Sequence, residues 1–245
     1  MIDIHTHILP EVDDGPKSWD VAVEMCRMAA ADGVERMVAT PHSNERYHYD
    51  RPYLTGLLDH LRQLVGPTPR LSLGCDFHAS YDNLQDVLAR PAYYTIEGTN
   101  YLLFEFSNYG IPTQIDDWFN LLGSKGVTAI ITHPERNPIL QQTPQRILQW
   151  VEQGCIMQVT ASALTGGWGE RVRRTAEWLL ERNAVHVLAS DAHDSKQRRP
   201  LLSVGRAAAE ELCGAETARA LVDDNPRAIV QGQPLPYFPN PVVGR

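Results

Sequence analysis

His5 and His7 stand two residues apart near the start of the chain, in the run Met1-Ile2-Asp3-Ile4-His5-Thr6-His7. Side chains of a strand alternate between its faces. Ile2 and Ile4 therefore point one way, and Asp3, His5 and His7 the other. Two imidazoles on one face at the end of a strand can grip one metal ion. The pattern recurs along the chain: Thr40-Pro41-His42, Gly74-Cys75-Asp76, Phe104-Glu105, Thr132-His133-Pro134-Glu135 and Ser190-Asp191-Ala192-His193 each put a nitrogen or oxygen ligand at the end of an apolar run. A mixed set of imidazoles and carboxylates suits manganese, iron or zinc. The expected chemistry is metal-assisted hydrolysis at a multinuclear centre. A single His-x-His pair is often no more than packed polar residues. Five histidines gathered at strand ends are much harder to place by chance.

The remaining histidines divide differently. His48 and His60 fall on a loop and a helix and should be solvated. His186 alternates with Val185 and Val187 and should point away from the site. His78 either packs or faces the cleft. Asp13 and Asp14 precede the turn Gly15-Pro16. There an Asx turn or helix cap competes with a ligand role.

These side chains need a scaffold that delivers them to one place. Apolar, β-rich runs cover residues 2–7, 36–40, 71–75, 101–106, 127–132, 156–160 and 185–190. Helical patterns fall between and after them: 18–33 with Ser18 as N-cap, then 51–64, 114–125, 144–153, 170–182, 202–212 and 216–222. Gly33, Gly126 and Gly154 each sit where a helix must reverse through the left-handed conformation before a strand, and Asn183 can do the same. Alternating strands and helices imply a parallel arrangement. Nearly continuous apolar strands imply cover on both sides. Because ligands come from almost every strand end, a closed or distorted barrel with its chemistry at the carboxyl ends fits better than an open sheet.

The 245 residues carry a net charge of -8, which argues against a general nucleic-acid or anionic-membrane surface. No apolar run approaches the roughly 18 residues that suggest a membrane span. No basic-then-apolar leader is visible, and a strand beginning at residue 2 makes a removable one unexpected. Cys26, Cys75, Cys155 and Cys213 are scattered, without a Cys-x-x-Cys pair. A reduced, cytoplasmic protein is the simplest reading. Cys213 and Arg219 match the bare spacing of a cysteine phosphatase. The intervening Gly214-Ala215-Glu216-Thr217-Ala218 reads instead as an acidic helix start, which opposes thiolate and phosphate alike. The tail Leu235-Pro236-Tyr237-Phe238-Pro239-Asn240-Pro241 should be extended, either disordered or laid along the surface.

The opening run, followed by Val12-Asp13-Asp14-Gly15-Pro16-Lys17-Ser18, resembles the polymerase-and-histidinol-phosphatase (PHP) superfamily. It is more closely similar to that superfamily's bacterial manganese-dependent protein-tyrosine phosphatases of capsule and exopolysaccharide synthesis. The likeness continues through Thr40-Pro41-His42, Leu103-Phe104-Glu105-Phe106, Thr132-His133-Pro134-Glu135-Arg136, Ala189-Ser190-Asp191-Ala192-His193 and Asp224-Asn225-Pro226-Arg227. It implies a single PHP metallophosphatase domain over residues 1–232, with a proline-rich tail over 233–245. The implied fold is α/β, a distorted seven-stranded TIM-like barrel. It also implies three divalent metal ions, with manganese expected and iron or zinc possible. One would take His5, His7 and Asp191, and a second Glu105 and His133, with Asp76 bridging the two. The third would take Asp14, His42 and His193, and Asp13 would lend support. Relatives commonly carry glutamate at the position of Asp76, so one methylene is missing here.

For a phosphate monoester the expected route is in-line attack by a metal-bridging hydroxide, without a covalent phosphoenzyme. Arg136 and Arg199 would clamp the phosphoryl oxygens, since a guanidinium fork matches that geometry. The resemblance points to phosphotyrosine on a protein, in particular a bacterial tyrosine autokinase governing polysaccharide export. The alternatives are a small-molecule phosphatase, for example on histidinol phosphate, and a non-catalytic metal-binding scaffold. No nucleic-acid partner and no membrane insertion are expected.

Overall fold

A computed structural model describes residues 1–241. Among them, strands and helices alternate. The strands are β1 (Ile2–Thr6), β2 (Arg36–Ala39), β3 (His42–Ser43), β4 (Arg70–Leu73), β5 (Asp76–His78), β6 (Tyr101–Glu105), β7 (Thr128–Thr132), β8 (Ile156–Thr160) and β9 (Val187–Ala189). The helices are α1 (Trp19–Ala31), α2 (Arg51–Val65), α3 (Tyr81–Ala89), α4 (Ile115–Ser124), α5 (Pro144–Glu152), α6 (Glu170–Glu181), α7 (Ser203–Cys213), α8 (Ala215–Arg219) and α9 (Asn225–Gln231). Every strand pairing is parallel. The order is β1-β2-β4 in one sheet and β3-β5-β6-β7-β8-β9 in the other.

Two of the expected strands are interrupted. Pro41 separates β2 from β3, and Gly74-Cys75 separates β4 from β5, so the two pairs straddle both sheets. Proline cannot donate to a ladder. Gly74 is needed for a close approach: a Cβ there would meet Ile96, Val38 and Thr40 at 3.1–3.3 Å. The first and last strands also meet. Thr6 bridges Ala192, the His7 N–H donates to the Ala192 carbonyl (2.8 Å), and the Asp191 N–H donates to the His5 carbonyl (2.9 Å). The arrangement is thus an α/β fold with parallel sheets whose outer strands touch.

Helix ends obey their sequence signals. The Ser18 side chain accepts the Val21 N–H at the start of α1. Gly33, Gly126, Gly154 and Asn183 all adopt positive φ. The helices pack on the main core. A smaller apolar cluster forms from Ile2, Ile4, Val38, Leu103, Ile130, Ile156 and Val187 together with Ile229 and Val230 of α9. It lies nearer the starts of the strands and forms a floor beneath the polar residues at their ends. The tail is laid along the surface. Buried Asn225 donates to the carbonyls of His186 (2.9 Å) and Tyr237 (2.7 Å), and accepts the Tyr237 N–H (3.0 Å). No helix among the described residues is long and apolar enough to cross a membrane.

Candidate metal centre

His5 and His7 reach the site because β1 is irregular: its register against β2 shifts between Asp3 and Thr6. Buried Asp3 braces the shift, accepting the N–H groups of His5 (3.4 Å) and Ser190 (3.0 Å) on one oxygen. The two rings are oriented from behind. His5 Nδ1 lies 2.8 Å from Gln158 Oε1, and His7 Nδ1 lies 2.7 Å from Asp13 Oδ2. A carboxylate can only accept, so His7 donates from Nδ1, and the amide oxygen asks the same of His5. In the neutral rings, both Nε2 atoms then carry bare lone pairs. They face each other at 3.3 Å, with Asp191 Oδ1 at 3.4 and 3.5 Å from them.

Asp76 sharpens the case. It is fully buried, yet neither carboxylate oxygen accepts a well-aligned hydrogen bond. Its Oδ2 lies 3.1 Å from His42 Nδ1, 3.5 Å from His5 Nε2 and 4.0 Å from His7 Nε2. Glu105 places Oε1 3.5 Å from His133 Nε2 and Oε2 3.6 Å from His42 Nδ1. Asp14 Oδ1 lies 3.3 Å from His42 Nε2 and 3.2 Å from His193 Nε2. Three groups therefore have ligand atoms close enough to share a cation: His7, Asp14, His42 and His193; His5, His7 and Asp76; and His42, Asp76 and Glu105. The chain brings all nine ligand candidates into one cluster. It differs from the sequence-derived grouping in detail, because His7 and His42 each stand between two groups.

The ionisable groups of the cluster perturb one another strongly: burial disfavours the charged His5 imidazole, but Asp191 and Asp76 outweigh it and push it up to about 9. Burial and the neighbouring Asp76 push the Glu105 carboxyl up to about 8. Burial would also raise Asp191, but Arg136, His5 and Arg198 outweigh it and hold that carboxyl well below its usual range. Burial and the nearby Arg136 charge depress His133, leaving its imidazole neutral. His133 and Asp191 also take positive φ, +35° and +50°. Such conformations are uncommon without glycine and tend to collect at functional sites. Imidazole nitrogens crowded against one another and an unpartnered buried carboxylate are what a divalent cation would satisfy. The residues fit bound metal.

Around this cluster the guanidiniums are arranged differently from the expectation. Arg136 pairs with Asp191 Oδ2, and Arg198 donates to the same oxygen at 2.6 Å. Arg199 is exposed and forms no ion pair among the described residues, so Arg198 occupies the place foreseen for it. Glu135 does not pair with Arg136; one of its oxygens accepts the Thr160 N–H at 2.9 Å. The ring of Trp168 lies 3.8 Å from the Arg136 guanidinium carbon and 5.2 Å from that of Arg198. Its indole N–H donates to Ser162 Oγ (3.0 Å). Tyr47 stacks on His42 with ring centroids 5.9 Å apart. Sequence reasoning missed Trp168, Gln158 and Arg198. Trp168 had a signal, an aromatic residue framed by glycines in Gly166-Gly167-Trp168-Gly169. Consecutive Arg198 and Arg199 on a loop offered no periodicity by which to choose.

The other candidates separate cleanly. His78, at the end of β5, is half-buried. His48 and His60 are exposed. His186 is buried away from the cluster, with Nδ1 accepting the Met157 N–H (3.1 Å) and Phe238 edge-on at 4.5 Å. Burial pushes the Cys213 thiol up, and Arg219 pairs with Asp224 at 2.8 Å, so these two do not form a phosphate loop.

A family model described as "Capsular polysaccharide synthesis, CpsB/CapC" matches residues 1–231. Tyrosine-protein phosphatase YwqE of Bacillus subtilis is 33% identical over 201 residues, covering 81% of this chain and 79% of that protein. Tyrosine-protein phosphatase CpsB of Streptococcus pneumoniae is 28% identical over 242 residues, covering 95% and 99%. A solved structure from work on YwqE and CpsB, described there as unique metal-dependent tyrosine phosphatases, superposes with a TM-score of 0.91 at 29% identity and covers 99% of each chain. A D-hydantoinase structure shares the fold alone, with a TM-score of 0.55 at 11% identity over 93% of this chain and 69% of its own. With the match running almost from end to end and its histidines and carboxylates gathered in one cluster, the chain belongs to the CpsB/CapC family of capsular polysaccharide synthesis.

Proposed function

We infer that this protein is a metal-dependent protein-tyrosine phosphatase acting in capsule or exopolysaccharide synthesis. The observation that carries the reading is the pair of imidazole Nε2 atoms, 3.3 Å apart and both within 3.5 Å of Asp191 Oδ1. His5, His7 and Asp191 would hold one cation, and Glu105 and His133 a second. Asp76 would lie between them, and Asp14, His42 and His193 would hold a third. Manganese is the metal proposed. Such cations supply Lewis acidity, lowering the pKa of water and neutralising phosphoryl oxygens.

The protein's own groups do the rest. Gln158 and Asp13 fix the rings of His5 and His7. Arg136 and Arg198 border the cluster, where guanidinium forks match non-bridging phosphoryl oxygens. Trp168 restrains both guanidiniums, and with Tyr47 it provides aromatic walls for a phenyl ring.

Counting β2 with β3 and β4 with β5 as single interrupted strands, and joining β1 to β9 through Thr6 and Ala192, supports a distorted seven-stranded barrel. We assign residues 1–232 to the catalytic domain and 233–245 to the tail. The proposed substrate is a phosphotyrosyl protein in the cytoplasm, a bacterial tyrosine kinase in particular.

The test is turnover of a phosphotyrosyl peptide beside histidinol phosphate. Chelation should abolish hydrolysis and manganese should restore it, with the peptide preferred. Turnover that survives exhaustive chelation, or is abolished by Cys213→Ser with the metals retained, rejects the reading.

A further inference from the structure

At the opposite end of the strands from the metal cluster lies a cavity of roughly 560 Å³. Ile2, Arg36 and Arg70 line it at the starts of β1, β2 and β4, and Arg227 of α9 lines it from another side. Strand register puts Arg36 directly beside Arg70. Neighbouring strands are only about 4.8 Å apart, and like charges in facing positions repel.

Neither carboxylate lining the recess forms an ion pair with Arg36 or Arg70. Glu35 is taken by Arg227, with Nη2 to Oε1 at 2.5 Å. One oxygen of Glu97 accepts the Leu73 N–H at 2.9 Å. Among the described residues, no carboxylate oxygen lies within 4.0 Å of the Arg36 or Arg70 guanidinium nitrogens. Two arginines on paired strands, neither in an ion pair among the described residues, thus line a recess of a size that suits small-molecule sites, about 300–1,000 Å³.

We propose that this cavity is an anion site for a small polyhydroxylated phosphate ester, whose phosphate is held jointly by Arg36 and Arg70. A guanidinium pair matches phosphate in both charge and fork geometry. The recess is far larger than orthophosphate, so the ligand has a further body. No aromatic ring lines it, which disfavours a stacked base. Thr68, Gln231 and the two glutamates supply oxygens that can accept from hydroxyls. The site is separate from the metal cluster and does not depend on the phosphatase reading.

The experiment is residue-resolved arginine labelling with phenylglyoxal on the metal-loaded full chain, read by peptide mass spectrometry. The probes are inorganic phosphate and the non-hydrolysable phosphonate analogue of glucose 6-phosphate. Both should slow labelling of Arg36 and Arg70 several-fold, the phosphonate at lower concentration, while exposed Arg174 is unaffected. Unchanged labelling of Arg36 and Arg70 overturns the site. Protection that needs more phosphonate than phosphate overturns the ester. A Arg36→Gln, Arg70→Gln double variant should melt higher than the parent in probe-free buffer, because the repulsion is gone. It should also lose much of the phosphonate-dependent rise in Tm. A rise retained in full counts against the proposal.

Discussion

At the scale of single residues, the side chains behind the ligands decide whether the cluster works. Asp13 accepts from the ring N–H of His7 and from the backbone N–H groups of Gly15 and His42. It thereby ties the turn after β1 to the start of β3. Outer partners of metal-ligating histidines are worth about 10–100-fold in metal affinity. Asp13→Ala should weaken metal binding by about that factor, as read by competition with a chelating dye; unchanged affinity would reduce Asp13 to a turn former. Trp168 makes a different prediction. Cation–π contact is worth about 0.5–2 kcal/mol, depending on desolvation. Trp168→Leu should therefore lower kcat/KM on a phosphotyrosyl peptide by about tenfold while metal content stays constant. An unchanged kcat/KM would remove Trp168 from the site. Eight of the nine ligand candidates could be read from residue type and position at strand ends; Asp14, in the turn before Gly15-Pro16, came only with the family resemblance. Gln158 could not, because a buried glutamine inside an apolar strand looks the same whether it braces a ligand or fills the core.

At the scale of elements, strand boundaries in the sequence were legible to within a residue or two, but the breaks inside two of them were not. His42 and Asp76 were visible as ligands and not as the beginnings of β3 and β5. The interruptions arise from pairing with different partners across Pro41 and Gly74, which no local pattern records. α3 lies outside the sequence-derived helices, although Ser80 caps it by accepting the Asn83 N–H and Leu84 and Val87 bury. α9 was hidden by the run Asp223-Asp224-Asn225-Pro226, which reads as a break. There the chain stays helical through a wide π turn over Ala220–Asp224, and Pro226 falls in the first turn of α9, where proline is tolerated. The tail seals β9 through His186. Burial drives the His186 imidazole down from 6.5 to about 3, so the folded protein keeps it neutral where the unfolded chain takes up a proton. Its stability contribution is intact above the unfolded value and is lost progressively as pH falls toward the folded one. Between pH 7 and 5.5 the loss is about 1 kcal/mol. Urea unfolding of His186→Gln should show a pH dependence shallower by that amount; parallel profiles would place the protonation elsewhere.

At the scale of the whole molecule, the cluster concentrates unsatisfied ligand candidates at the carboxyl ends of the strands. Asp76, His42 and His193 all hold buried atoms without hydrogen-bond partners. A ligand that binds only the folded state stabilises it by mass action, about 2.7 kcal/mol at a hundredfold excess over Kd. Removal of metal should lower Tm by several degrees or more, and manganese should restore it. In calorimetry, a Tm indifferent to chelator would mean that the cluster binds no cation. The parallel α/β plan was legible from alternation and glycine placement. Closure was expected from the spread of ligands over almost every strand end, but the residues that make it, Thr6 and Ala192, were not legible, since they lie nearly the whole chain apart.

That closure sets an order of events during synthesis. β1 leaves the ribosome before the other described strands, but Ala192, its partner on one side, follows far later in the chain. His5 and His7 wait with it for Asp191. Until then the nascent protein carries an exposed strand edge, a known risk for association between chains. An ion shared by His5, His7 and Asp191 would thus be captured only once the segment carrying Asp191 and Ala192 has joined β1.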